Sequence, residues 1–208
     1  MFYRRTVICV SLVLVVALHA FWIAPAQANE DASSFAQQLG YRAIGVLQDD
    51  DSTLAQREAM FRDILVEGFD LNLIGRFVLA RYWKKASEEQ QANYLRAFGE
   101  FIVRKYSALL GGYSGEVFTV VSEQPSGDED VMVLTRIDRP SGPPIETHWR
   151  VRSKDGEQRI IDVLIEGISM AMTQRAEFKS VVKRHGIDGL IQILDAQSSK
   201  SSATAAAN

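Results

Sequence analysis

The sequence predicts an α+β domain in which helices cover a four-stranded antiparallel sheet. Three observations carry that expectation. Apolar residues recur at the helical period from Ala32 to Tyr106. The pattern switches to alternation between Glu116 and Glu166, then returns to helical spacing after Ser169. The alternating segments are joined by turns so short that neighbouring strands must run antiparallel. Composition fits: of 208 residues, 47% are hydrophobic and 24% charged, which excludes a disordered or collagen-like chain. The net charge of −3 argues against general nucleic-acid binding, which needs a basic excess.

The elements follow in order. Phe35, Leu39, Ala43 and Val46 or Leu47 lie at helical spacing over Ala32 to Gln48, before the polar break Asp49-Asp50-Asp51-Ser52. Thr53 and Gln56 form a capping box for a second helix carrying Leu54, Phe61 and Leu65, ended by Gly68. Asp70 caps a third, with Leu71, Ile74, Val78 and Tyr82 on one face. Ser87 and Gln90 open the longest helix, with Leu95, Phe98, Ile102 and Tyr106 in register and Gly111-Gly112 as its stop. Strands are expected at Glu116–Ser122, Val131–Ile137, Ile145–Arg152 and Arg159–Glu166. In the third, Ile145, Thr147, Trp149 and Val151 face one way and Glu146, His148, Arg150 and Arg152 the other. Asp155-Gly156 makes a tight hairpin turn. Ser169 caps a helix reaching Lys183, Gly186 stops it, and Asp188 caps a short helix to Leu194.

The ends read differently from the middle. Arg4 and Arg5 precede an almost wholly apolar run from Val7 to Ile23, and Ala26-Gln27-Ala28 is a small-x-small site. Residues 1–28 are thus expected to be a cleavable signal peptide. Its loss leaves residues 29–208 with no cysteine and a net charge of −5. The one cysteine, Cys9, has no lipobox around it, and it leaves no route to an intramolecular disulfide or a cysteine-built zinc site. Residues 29–197 are read as a single domain and 198–208, rich in Ser and Ala, as a disordered tail.

Chemistry motifs are sparse. There is no GxGxxG, P-loop, GxSxG or HExxH, so no cofactor is expected and catalysis is not. His148, beside Glu146 and Arg150 on a polar strand face, reads as a solvated histidine. His185 reads as a helix C-terminal cation. Asp63, Glu67 and Asp70 lack an accompanying histidine and read as helix face and cap rather than metal ligands. Asp162 and Glu166, on the strand side of Ile160 and Leu164, are the pair that an enzyme could use, Asp162 as a base. The simpler reading is an ion pair and a strand end. What stands out is a surplus of aromatics: Phe69, Phe77, Tyr82, Trp83, Tyr94, Phe98, Phe101 and Tyr106. Pattern alone leaves two readings, a well-filled core or a pocket for an apolar ligand.

Two blocks carry a resemblance. The first is Phe69-Asp70, then Arg76-Phe77-Val78-Leu79-Ala80-Arg81-Tyr82-Trp83-Lys84-Lys85-Ala86-Ser87, continuing through Tyr94-Leu95-Arg96-Ala97-Phe98 to Tyr106. The second is Asp162-Val163-Leu164-Ile165-Glu166-Gly167-Ile168-Ser169-Met170, continuing through Gln174-Arg175 and Phe178 to Gly186-Ile187-Asp188-Gly189-Leu190. In this order they resemble the MlaC, or toluene-tolerance, family of periplasmic phospholipid-binding proteins. The run from Ser169 to Phe178 also resembles a subgroup associated with hopanoid biosynthesis. Two departures are visible: Ala80 stands where glycine is common, and Gln158-Arg159 where an aromatic often precedes the Asp-Val pair.

The resemblance implies a helical layer on a twisted antiparallel sheet, enclosing an apolar cavity. It implies a non-enzymatic carrier that shuttles phospholipid between inner and outer membranes and so maintains outer-membrane lipid asymmetry, with a hopanoid as the alternative ligand. The implied partners are an inner-membrane ABC transporter with its substrate-binding ring and an outer-membrane lipoprotein–porin complex. The residues expected to line the cavity are Phe77, Tyr82, Phe98, Phe101 and Ile102 from the helices and Val133, Trp149, Val163 and Ile165 from the sheet. Arg175 is the candidate for a phosphate at the mouth.

Overall fold

The computed structural model describes residues 31–49, 51–107 and 115–205, with side chains placed through Ser199. The expected leader with Cys9 and the Gly111-Gly112 stop lie outside the described residues. Among the described residues, five helices are laid on an antiparallel sheet. Helix α1 spans Ala32–Leu47, and its N-cap Asp31 accepts from the Ser34 N–H. Helix α2 spans Leu54–Gly68 behind the Thr53/Gln56 capping box. Helix α3 covers Leu71–Leu79, with the Asp70 carboxylate accepting from Leu73 N–H at 2.8 Å. Helix α4 runs Glu88–Ser107 behind reciprocal Ser87 and Gln90 bonds, each of 3.1 Å. These starts form where the sequence puts them because each cap satisfies N–H groups that the helix itself leaves unpaired.

The third helix is shorter than its apolar face suggests. Ala80 adopts φ 55° and ψ −128°, which ends α3 and begins a 3₁₀ turn over Ala80–Lys85. Tyr82 therefore lies on the turn, not on α3.

The sheet has five strands rather than four: β1 Val117–Ser126, β2 Asp130–Asp138, β3 Ile145–Lys154, β4 Glu157–Ile165 and β5 Ile168–Ser169, in that spatial order. The extra strand arises from the second hairpin turn in this half of the sheet. Glu166 and Gly167 both take positive φ, 49° and 77°, and fold Ile168-Ser169 back onto Leu164 and Ile165. Asp155 and Gly156, at 54° and 82°, close the hairpin between β3 and β4 in the same way. Two bulges interrupt the ladders, one between Val120 and Ser122 and one opposite Arg150 and Val151. The second changes the expected facing of β4. Ile160 pairs with Val151 and Asp162 with Arg150, so Ile161 is the extra residue. Beyond it Val163 and Ile165, not Asp162 and Leu164, continue the face of Ile160.

Helix α5 spans Met170–Ala205 and bends at Gly186, whose φ of 71° and ψ of −176° are not helical. Its first part packs on α3 and α4. Its second returns along α4, where Arg96 grips Asp195 with two bonds of 3.0 Å and Gln90 donates to Asp188 at 2.9 Å. The backbone stays helical past Gln197, where the sequence places the domain's end; the Ser198 and Ser199 hydroxyls bond back to the carbonyls of Leu194 and Asp195.

The core is split. One cluster joins α3, α4 and α5 through Val78, Leu79, Tyr94, Phe98, Phe178 and Leu190. The other joins α1 and α2 to the sheet through Ala36, Leu39, Ile64, Val133, Val151 and Ile160. Tyr94, Phe98 and Phe178 pack ring to ring, with centroids 5.8 to 6.3 Å apart. Among the described residues, no helix is long and apolar enough to cross a membrane.

Candidate functional site

Between the two core clusters lies a pocket of about 290 Å³. Leu39 and Ile64 close it from the α1–α2 side, Val78 and Phe98 from the α3–α4 side, and Trp149 and Val163 from the sheet. The walls are apolar because the inner face of the sheet and the inner stripes of all five helices meet there. Each element is held in place locally. The Asp70 N–H donates to the Ile160 carbonyl at 3.0 Å, which ties the start of α3 to β4 beside the bulge. The Tyr94 hydroxyl donates to the Gly75 carbonyl at 3.0 Å and ties α4 to α3. Burial pushes that phenol far above the ordinary tyrosine range, so it stays a neutral donor.

Most polar groups on the pocket wall come from the C-terminal end of α4 and the first turns of α5, with Thr147 and Asp162 added by the sheet. Lys105 donates to Gln174 Oε1 at 3.0 Å, bridging the two helices. Lys105 and Thr173 are exposed, which makes this end the rim. Tyr106 stands beside them; burial, then the nearby carboxylates of Asp162 and Glu177, push its phenol above the ordinary range. Asp162 faces the start of α5. It accepts from the Ser169 hydroxyl at 2.6 Å and from Ala171 N–H at 3.1 Å. Ser169 in turn accepts from Met172 N–H at 3.0 Å, so the two side chains cap the helix together. Such a site offers apolar burial with a few polar groups at one end. Among the described residues no cluster of His, Cys, Asp or Glu could hold a metal.

Residues 37–196 match the family described as MlaC protein. The chain belongs to the MlaC family. A protein of Haemophilus influenzae described as an intermembrane phospholipid transport system binding protein, MlaC, is 29% identical over 163 residues, 74% of this chain and 76% of that one. A solved phospholipid-binding protein from Ralstonia solanacearum, in complex with a phospholipid, shares the fold. Its TM-score is 0.72 at 22% identity, over 82% of this chain and 98% of that one.

Against that MlaC-family frame, the ten residues named from the sequence separate into two groups. Phe98, Ile102, Trp149, Val163 and Ile165 are on the pocket wall. The other five are placed elsewhere. Val133 is fully buried in the sheet-side cluster. Phe101 packs on the Phe178 ring at 6.0 Å, with the Lys105 ammonium 5.5 Å from its own centroid. Tyr82 rests half-buried on the α3–α5 cluster, and its hydroxyl accepts from Arg81 at 3.2 Å. Phe77 is 42% exposed, and the Arg175 guanidinium lies 5.0 Å over its ring. Arg175 thus faces an aromatic ring rather than an acid.

The enzyme candidates also resolve into structural partners. Asp162 caps α5 instead of pairing with an arginine, and Glu166 accepts from Glu146 N–H at 2.9 Å at the strand end. Glu67 pairs with Arg42 at 2.7 Å, and Asp70 caps α3. His148 is half-buried opposite Leu134 and Leu164 on the outer sheet face, and His185 is exposed beside the Gly186 bend. The pocket's contributions from α1 and α2, such as Leu39, Ala43 and Phe61, were missed as site residues. Their helical spacing marked them as inward-facing, but an aliphatic stripe carries no sign of whether it meets side chains or space.

Proposed function

We propose that this chain is a periplasmic carrier of phospholipid, moving it between the inner and outer membranes without catalysis. The observation that supports this best is the largely apolar pocket between two separately packed core clusters, with its exposed polar groups, Lys105 and Thr173, together at one end. Acyl chain enters the pocket and the headgroup stays at the rim near Lys105, Thr173 and Gln174. The driving force is apolar area removed from water, about 25 cal/mol per Å², or about 0.8 kcal/mol for each buried methylene. A pocket of about 290 Å³ is at the small end of the ~300–1,000 Å³ range of ligand sites. A two-chain lipid therefore needs α1–α2 and α3–α5 to separate along the seam between the clusters. Because the tails are held by area alone, release calls for a partner that opens this seam. An inner-membrane ABC transporter complex and an outer-membrane lipoprotein–porin complex are the partners the family suggests. The names of the Haemophilus influenzae and Ralstonia solanacearum proteins support the ligand class.

Native mass spectrometry of the protein purified from a bacterial periplasm, followed by lipid extraction, tests the proposal. A stoichiometric phospholipid is expected. A hopanoid from a host that makes both would replace the phospholipid reading with the sterol-like one. Val163→Trp, which fills the sheet side of the pocket, is expected to lower the bound fraction while circular dichroism is retained. A protein that stays empty after incubation with lipid vesicles overturns the carrier reading.

A further inference from the structure

The chain is net acidic, but its charge is not evenly spread. Residues 71–87 carry Arg76, Arg81, Lys84 and Lys85 and no acid. Residues 169–187 carry Arg175, Lys179, Lys183 and Arg184 against the single acid Glu177. Two short segments thus hold eight of the 23 Lys and Arg residues and one of the 26 acids. The fold brings these segments together, since α3 and its 3₁₀ turn pack along the first part of α5. Met172, Arg175, Lys179 and Lys183 fall on one helical stripe, spaced by three and four residues. That stripe is about 17 Å long at 1.5 Å per residue.

Tyr82 reports where the cations converge. Arg81 donates to its hydroxyl at 3.2 Å, and the fields of Arg81, Lys183 and Lys179 act with that bond to pull the phenol below the ordinary tyrosine range. Among the described residues none of the eight cations forms an ion pair. Instead Arg76, Arg81 and Arg175 lie over the rings of Trp83, Tyr82 and Phe77. One end of the face is apolar and open: Phe77 is 42% exposed, Met172 54% and Ile168 60%. That end adjoins the pocket, because Met170, Ala171 and Thr173 on the same turns of α5 line it.

We propose that this face docks the protein on an anionic lipid bilayer, with Met172, Ile168 and Phe77 entering the interface and the α5 and 3₁₀-turn cations meeting lipid phosphates. Charge complementarity carries the choice of occupant. Long, unpaired, exposed cations beside aromatic rings and open apolar side chains are the makeup of an interfacial lipid contact. The chain is net acidic overall, so an anionic surface favours the orientation that presents this cation-rich face. The face therefore fixes which side meets the membrane, and brings the pocket's rim toward it. The purpose of docking rests on the carrier reading, but the geometry does not.

The test is sedimentation of the purified full chain with phosphatidylcholine vesicles, with and without phosphatidylglycerol. Binding is expected only with the anionic lipid at about 0.1 M salt, and is lost near 1 M, where the screening length falls to about 3 Å. Lys179→Gln with Lys183→Gln is expected to weaken binding about 25-fold, at about fivefold per cation. Arg42→Gln with Arg136→Gln, exposed cations away from the face, should leave it unchanged. Ile168→Ser with Met172→Ser should weaken it without altering the salt dependence. Equal binding to both vesicle types, or a Lys pair variant that matches the Arg pair variant, overturns the proposal; in that event an acidic protein is the remaining occupant. Native mass spectrometry of the same samples separates the two readings. A lipid-loaded protein that ignores anionic vesicles sinks docking alone, and an empty protein that binds them sinks carriage alone.

Discussion

Ala80→Gly should make this protein more stable, which is the reverse of what glycine does inside a helix. Ala80 adopts φ 55° and ψ −128°, where a Cβ crowds its own backbone and which glycine occupies freely. Its N–H still bonds to the Arg76 carbonyl, so the conformation is held by the end of α3. Holding an L-residue in such a region costs about 1–3 kcal/mol. Glycine adds about 0.4–1 kcal/mol of unfolded-state entropy against the fold. The balance is a gain of about 0.5–2 kcal/mol. For a domain of this size each kcal/mol moves the melting temperature by about 2–4 °C. Thermal unfolding and a urea titration read this directly: the midpoint should rise and the urea slope stay fixed, because the buried area is unchanged. Ala80→Val should move the other way, since β-branching worsens the same clash. A glycine variant that melts at or below the parent refutes the reasoning, because the strain it is meant to release would then be absent. The position is also one where the family resemblance marks glycine as common, so the variant restores the usual residue.

Gly186→Ala is the mirror case: φ 71° with ψ −176° is a glycine-only region, so urea unfolding should show a loss of about 1–3 kcal/mol. Ser169→Ala removes the hydroxyl that joins Asp162 to Met172 N–H and should cost about 1 kcal/mol in the same assay, with β4 and the pocket otherwise unchanged. The Arg62 guanidinium, bonding Glu100 twice at 2.8 Å, holds that carboxyl below its ordinary value of 4.5. Its stabilisation is therefore complete above pH 4.5 and fades as pH falls through the lowered folded value. Both side chains are about two-fifths exposed, 39% and 41%, so the pair contributes under about 1 kcal/mol. Glu100→Gln should lower the unfolding free energy read from a urea titration at neutral pH by that much and match the parent in acid; a difference that persists in acid contradicts the pairing.

What was legible in the sequence was local. The Thr53/Gln56 and Ser87/Gln90 boxes, the Asp70 cap, the Asp155-Gly156 turn and the Gly186 stop each depend on residues a few positions apart. The inner face of β3 was equally legible, since Thr147, Trp149 and Val151 alternate without interruption and pair with Thr135, Val133 and Val131. What was not legible depends on partners far along the chain. The bulge at Ile161 breaks an alternation that the residue types alone would continue. Strand β5 is two residues long and merges into a helix cap, so it carries no period of its own. The pocket was half legible for a related reason. The resemblance implies that Val133 and Val163 both line the cavity, but one is buried at 0% exposure in the sheet-side cluster and the other lines the pocket. Only the spacing of whole layers separates those outcomes.

The bulge at Ile161 explains how one short segment of β4 sets up the site. Without the extra residue, β4 would continue with Asp162 and Leu164 on the face of Ile160, and a carboxylate would point at apolar helices. With it, Val163 and Ile165 take that face and Asp162 reaches the start of α5. On the other side of the bulge the Ile160 carbonyl accepts the Asp70 N–H and fixes the start of α3. The two helices that carry the cationic face are thus anchored to β4 within two residues of each other. Their anchors are at their N-termini, whereas the apolar core cluster they share lies along their length. Carriage as proposed asks the pocket to widen for a lipid, and docking as proposed asks the cationic face to keep one orientation; anchoring α3 and α5 to one bulged strand suits both demands.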